Sequence, residues 1–326
     1  MMSFDPNAID IDPASECRRL EGLLKHDVAK RLRRRGAVVG ISGGVDSSVV
    51  LAICARALGP ERVLGVLMPE RESSDDSRRL ALEVAEQYAV ETVLEDATPA
   101  LEGLRSYERR DEAVARVFPD FRPGQDRVKL TLPGNVLAKG TLNVFSLTKV
   151  DEDGTEESIR LKPDDLDQIV AASNFKQRTR MALLYYHAER RRYAVVGTPN
   201  KDEHDQGFFV KWGDGGYDIG PIRHLFKTQV YQLAEYLGIP DEICAATPTT
   251  DTYSAPSSQE EFFFRMPFDL MDRLWFAFEN GVGAEEAASM LGLETEHVER
   301  AYANLVQKIS ATEYLRMPPI EYGGDD

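Results

Sequence analysis

Between the apolar runs 37–39 and 49–53 lies Gly40-Ile41-Ser42-Gly43-Gly44-Val45-Asp46-Ser47-Ser48. The order predicts a buried strand, a sharp glycine turn and a helix that begins at the serines. Paired glycines let a backbone come close to an anion and take angles closed to other residues. Ser42, Ser47 and Ser48 add hydroxyl groups, and a helix N-terminus adds unsatisfied N–H groups at a positive dipole end. The stretch therefore reads as a phosphate cradle. It is not a Walker loop, because no lysine follows the glycines. Asp46 would repel a phosphate unless a cation lay between them, so Mg²⁺ is expected there. The plain alternative is a tight strand-to-helix turn of small residues with no ligand.

The flanking sequence sets the cradle in a layered fold. Residues 15–35 carry Leu20, Leu24, Val28 and Leu32 at helical spacing. Helix 47–58, strand 63–68, helix 77–88 and strand 90–94 follow in alternation. That rhythm predicts an α/β, doubly wound parallel sheet covered on both faces. Ligands of such sheets sit at the carboxyl ends of the strands, where the cradle and the loop 69–76 both fall. Residues 103–168 break the rhythm with charges, prolines and glycines and with short strand-like runs at 128–132, 142–147 and 159–161. An inserted β-rich flap is expected. Helical period returns at 166, and Asn174 is expected to open a helix through Tyr186, with Arg178 and Met181 on one face near its start. A strand at 193–196, a loop at 197–203, a Gly/Asp-rich loop at 207–222 and a helix from Lys227 to Gly238 complete the pattern. The aromatic helix 268–278 is either core or a dimer face. Residues 283–308 read as two helices and a turn. The chain divides into 1–278, with the insertion at about 103–168, and a helical C-terminal extension, 279–326, packed on the same domain.

Composition narrows the classes. A chain of 326 residues with 42% hydrophobic content can bury a sizeable core. It has no apolar run of 18 residues, so no membrane span is expected, and residues 1–13 lack secretory or transit character. Cys17, Cys54 and Cys244 lack metal-ligand spacing and suit a cytoplasmic location. A net charge of −16 argues against a nucleic-acid partner.

The S-G-G-x-D-S stretch resembles the pyrophosphate loop of the ATP pyrophosphatases, whose fold is of the adenine-nucleotide alpha hydrolase-like type. Four further motifs follow in order: N-x-x-x-R-x-R-M from Asn174, G-T-x-N-x-x-E from Gly197, G-F-F-x-K-x-G-D-G-x-x-D-I-x-P-I from Gly207, and K-T-Q-V from Lys227. Together they resemble the NAD synthetase family of the ammonia-dependent type. The resemblance implies that ATP adenylates the nicotinate carboxylate of deamido-NAD and that ammonia then displaces AMP. It implies ATP contacts from Gly40, Ser42, Gly43, Gly44, Asp46, Ser47, Ser48, Thr198, Lys227 and Thr249. It implies Mg²⁺ on Asp46 and Glu203, and substrate contacts from Arg178, Lys211, Asp214 and Asp218. Asp46, Lys227 and Lys211 would be the catalytic groups. A homodimer is implied, and a mobile loop at 247–264 over the site. No glutaminase domain is expected in this chain, so nitrogen would come as free ammonia or from a separate glutaminase partner. The family's C-terminal basic run is replaced by Glu313-Tyr314-Leu315-Arg316, which leaves open an amide ligase for another carboxylic acid. A tRNA-modifying ligase and a nucleotide-binding protein without turnover are the remaining alternatives.

Overall fold

The structure is a computed structural model that describes residues 5–132, 136–137, 145–249, 252–255 and 258–322. The chain begins with α1 (Pro13–His26), β1 (Ala37–Gly40), α2 (Val45–Leu58), β2 (Val63–Leu67), α3 (Asp75–Gln87) and β3 (Glu91–Leu94). Next come α4 (Thr98–Gly103), α5 (Ser106–Val117), β4 (Arg127–Thr131), β5 (Ser146–Val150) and β6 (Glu156–Arg160). Then come α6 (Pro163–Arg191), β7 (Ala194–Val196), α7 (Lys201–Gln206), α8 (Lys227–Leu237) and α9 (Asp241–Ala245). The chain closes with α10 (Phe268–Glu279), α11 (Ala284–Leu291), α12 (Thr295–Ala311) and α13 (Glu313–Arg316).

Four parallel strands run in the order β3-β2-β1-β7. Successive side chains of a strand point to opposite faces, and the core divides accordingly. Ala37, Val39, Val63 and Val196 face α1, α2, α3 and α8. Val38, Leu64, Val66 and Val195 face α6. Chain order reverses between β1 and β7. That reversal opens a crevice at their carboxyl ends, and the cradle lies there.

The β-rich segment expected here is present as an antiparallel sheet, β4-β5-β6, and it is joined by a helix the sequence did not suggest. Segment 106–117 is helical because Tyr107, Ala113 and Val114 turn inward against α6, with Arg110 buried beside them, while Glu108, Arg109, Glu112 and Arg116 face outward. The strand expected at 142–147 is displaced to Ser146–Val150, and residues 142–144 lie outside the described residues. Phe118, Val128, Leu130 and Leu147 form a second core together with Ile169 of α6.

Helix α6 is also longer than expected. Pro163 stands in its first turn with Asp164 and Asp165, and Arg190 and Arg191 stand in its last. These residues suit the two ends of the helix dipole. Arg178 and Met181 therefore sit in mid-helix, not near its start. The first helix likewise stops short of Arg35: after His26 a turn of wider, π-type helix spans Asp27–Arg31.

In the aromatic helix α10, Phe268, Leu274 and Trp275 are buried within the chain, which supports the core reading. Helices α11 and α12 pack against it through Ala287, Val298 and Ala301. Residues 250–251 and 256–257 of the expected covering loop, and 323–326 of the tail, lie outside the described residues.

Ile53 is fully buried on α2 under the sheet. Ile53→Ala is expected to lower stability by about 2–5 kcal/mol, read as a lower urea midpoint at unchanged slope.

Candidate active site

A cavity of about 480 Å³ lies over the carboxyl ends of β1, β2 and β7. The phosphate turn forms its floor. Helix α2 begins at Val45, two residues before the expected start, and Gly44 caps it without a side chain. The Ser47 and Ser48 hydroxyls fold back to donate to the Gly44 carbonyl at 3.0 and 2.9 Å. No side chain caps the N–H groups of the first turn, which suits an anion. Gly40, Ser42, Gly43, Gly44, Asp46 and Ser47 line the cavity, whereas Ser48 is buried behind them. Gly43 has φ +80°, and a Cβ there would stand 2.3 Å from the Ser77 carbonyl oxygen. This position needs glycine both for its angle and for the close approach of α3.

Three loops bring charge to one point above this turn. The Asp46 carboxylate contacts the Lys227 ammonium and accepts a 3.0 Å hydrogen bond from Asn200 Nδ2. Asn200 also caps α7: its Oδ1 accepts from Glu203 N at 3.0 Å, and its own N–H donates to Glu203 Oε2 at 3.3 Å. This capping box fixes Glu203 beside Asp46. Gln259 Nε2 donates to Glu203 Oε1 at 3.2 Å from the 247–264 segment. Burial, and then the nearby Asp46 charge, push the Glu203 carboxyl up to about 8. Burial opposes the charge on Lys227, but Asp46 and Glu203 outweigh it and hold the lysine protonated.

Lys227 is the first residue of α8. Asp202 Oδ2 accepts its backbone N–H at 2.8 Å, and Asp272 Oδ2 accepts the next one, from Thr228, at 2.8 Å. Burial drives both carboxyls up, Asp272 to about 6.

Thr198, Thr249 and Asp214 complete the wall. Asp214 Oδ1 accepts from Val210 N at 2.7 Å, and burial raises its carboxyl to about 6. Arg180 reaches the same cavity and donates from Nε to the Met68 carbonyl at 3.2 Å.

Arg178, Lys211 and Asp218 do not line this cavity. Exposed Arg178 donates to the Lys211 carbonyl at 3.4 Å. The Lys211 ammonium donates to the Tyr314 and Met317 carbonyls, both at 2.8 Å. Asp218 accepts from Tyr185 at 3.1 Å and from Val195 N at 2.9 Å. Arg316 is committed to the chain's own oxygens, with Thr312 Oγ1 at 3.0 Å.

Asn200, Asp202, Gln259 and Asp272 went unassigned in the sequence. Only Asn200 carried a signal, because N-x-x-E ahead of a helix marks a capping box. Among the described residues no three His, Cys, Asp or Glu groups gather at metal-ligand distance. Asp46 and Glu203 form a two-carboxylate set. That suits Mg²⁺, which takes one or two carboxylates and draws its other ligands from water and phosphates.

Comparison with known proteins gives the chain a family. The sequence model of the NAD synthase family matches residues 16–118 and 142–319. The chain belongs to this family. An NH₃-dependent NAD⁺ synthetase from Mesorhizobium japonicum is 48% identical, with 97% of this chain and 99% of that protein aligned. One from Rhizobium meliloti is 44% identical over 97% of this chain and 94% of its own length. Among solved structures, an NH₃-dependent NAD synthetase from Campylobacter jejuni has a TM-score of 0.61 at 20% identity, covering 96% of this chain and all of that one. At that identity the likeness is one of fold. In this NAD synthase chain the matched segments carry the whole parallel sheet and every motif from the phosphate turn to α8.

Asn200→Ala removes both the α7 cap and a partner of Asp46. It is expected to cost about 1–2 kcal/mol in urea unfolding and to weaken ATP binding measured by calorimetry.

Proposed function

We propose that this chain makes NAD from deamido-NAD, ATP and ammonia. ATP transfers its adenylyl group to the nicotinate carboxylate with release of pyrophosphate, and ammonia then displaces AMP to leave the amide. The observation that carries this reading is the meeting of Asp46, Glu203 and Lys227 directly above an uncapped helix start. The chain's extensive identity to named NH₃-dependent synthetases supports the choice of acid.

Each residue then has a task. The backbone of Gly40 to Ser47 and the Ser42 and Ser47 hydroxyls hold the triphosphate, with Ser48 shaping the turn from behind. Asp46 and Glu203 would hold Mg²⁺, which supplies charge neutralisation between the phosphates and the two carboxylates. Lys227 is fixed in place by α8 and kept charged by its neighbours. It stabilises negative charge developing on the departing pyrophosphate. Thr198 and Thr249 orient the nucleotide. Asp214, on the cavity wall, would contact the substrate. Arg178, Lys211 and Asp218 lie along α6 and the 207–219 loop and would hold the dinucleotide outside the reacting cavity. No described helix is long and apolar enough to cross a membrane. A homodimer in the cytoplasm, fed by free ammonia or by a separate glutaminase, completes the proposal.

Incubation with ATP, Mg²⁺, ammonium and deamido-NAD should yield NAD and AMP in equal amounts. Absence of NAD while a known synthetase works in parallel would refute the reading. Asp46→Ala and Glu203→Ala should each abolish AMP formation.

A pH dependence follows from the raised Glu203 carboxyl. Metal binding needs the carboxylate, so a proton held up to about pH 8 competes with Mg²⁺. Without nucleotide, Mg²⁺ affinity should rise up to about tenfold per pH unit from pH 6 to 8 and level off above. Titration of the protein with Mn²⁺ as a spectroscopic stand-in checks this, and Glu203→Gln should flatten the curve.

A further inference from the structure

Behind the cavity wall lies a second cluster of charge that the proposed chemistry does not use. The loop leaving β2 carries Glu70 and Glu72. Lys176 of α6 is 1% exposed, and its ammonium donates to Glu70 Oε1 at 3.0 Å and Glu72 Oε2 at 2.7 Å. Two residues of α5 close the cluster from the far side. The Tyr107 hydroxyl donates to Glu70 Oε2 at 2.6 Å, and Arg110 donates to Glu72 Oε2 at 2.8 Å. Glu70, Tyr107 and Arg110 are each no more than 5% exposed. Burial works against the charge on Glu72, but Arg110 and Lys176 hold its carboxyl down at about 2.

A buried ionic cluster is weak evidence of stability, since an apolar core of the same shape is often as stable. What it does fix is geometry. Glu70 N donates to Ser73 Oγ at 3.1 Å, and Ser73 N donates back to the Glu70 carbonyl at 2.8 Å. The same turn presents Ser73 and Ser74 to the cavity. One helical turn along α6 from Lys176, Arg180 holds the Met68 carbonyl at the loop's other end. The loop runs directly into α3, whose Ser77 carbonyl lies so close to Gly43 of the phosphate turn that a Cβ there would meet it at 2.3 Å. The Glu70–Ser73 turn and the phosphate turn thus line one cavity through adjoining groups.

We infer that Lys176 is a positioning residue for ATP: with Glu70, Glu72, Tyr107 and Arg110 it locks the loop after β2 against the phosphate-binding turn. Helix α5 is thereby a working part of the nucleotide site. This inference rests on the reading that ATP occupies the cavity.

The test uses the full chain, with Mg²⁺ and an α,β-methylene analogue of ATP followed by calorimetry. Steady-state KM values for both substrates and urea midpoints are measured alongside. Lys176→Met combined with Glu70→Gln removes one charge of each sign at nearly constant volume. The expected result is a midpoint near the parent's, nucleotide affinity and KM for ATP worse by about 10- to 100-fold, and KM for deamido-NAD within about twofold. Lys176→Arg should restore most of the affinity. Unchanged ATP affinity in the folded double variant, or equal losses for both substrates, would overturn the assignment. Should the double variant not fold, Tyr107→Phe decides: it removes only the hydroxyl, and wild-type ATP affinity there would sink the proposal. The calorimetric reading needs no acid substrate. A failure to make NAD would therefore refute the functional reading and leave this measurement intact.

Discussion

The contact between the Lys227 ammonium and the Asp46 carboxylate is the interaction on which the site depends. Lys227 is almost wholly buried, and an unpaired buried ammonium would lose its proton or break the packing. Asp46 and Glu203 keep it charged. Removing one partner of such a pair costs about 3–5 kcal/mol, because the other charge is left uncompensated. The pair also joins parts distant in sequence: Asp46 in the first turn of α2 and Lys227 at the start of α8. Asn200 at the start of α7 bonds the same carboxylate and fixes Glu203. Three helix N-termini are thereby tied at the point where the strand order reverses.

That arrangement explains why so many acids can be held close together. Asp46 and Glu203 repel each other, and Asp202 and Asp272 repel each other one layer below. Helix starts offset part of this through their dipoles and free N–H groups. Asp202 and Asp272 cap the first two N–H groups of α8, and Glu203 is bonded within its own capping box. The backbone thus carries the acids as helix caps. A site that grips a polyphosphate through cations must keep acids near to hold those cations. Capping gives Asp202 and Asp272 one backbone donor each, at Oδ2.

How much of this was legible follows from the range of the interactions. The strand, turn and helix around Gly43 were readable because glycine pairing and apolar runs are local signals. The resemblance to the NAD synthetase family, carried by the order of motifs, implied that Thr198, Glu203 and Lys227 share one site. Helix α5 was hidden because Arg110, a buried side chain, looks in sequence like one more surface charge; its partner Glu72 is far away along the chain. The full length of α6 was hidden for a similar reason. Ile169 packs into the second core and Ala188 into the parallel sheet's, so no single apolar period runs through the helix. Asp202 and Asp272 gave no sign at all, since their role is defined only by where α8 begins.

Helix α6 shows what such a split pattern achieves. Its first half belongs to the second core and its last to the parallel sheet, while its middle presents Gln177, Arg180 and Met181 to the cavity. A rod of this kind carries displacement along its length, because each residue is bonded to the turn before it. Packing α5 against one end therefore bears on the loop after β2 through Lys176, and on the 207–219 loop through Gln177, which Gly213 approaches closely. The nucleotide side and the dinucleotide side of the cavity share one rigid element. Their relative spacing is then set by the pitch of that helix and not by the loops that touch the ligands, and an in-line transfer between two bound substrates needs that kind of control.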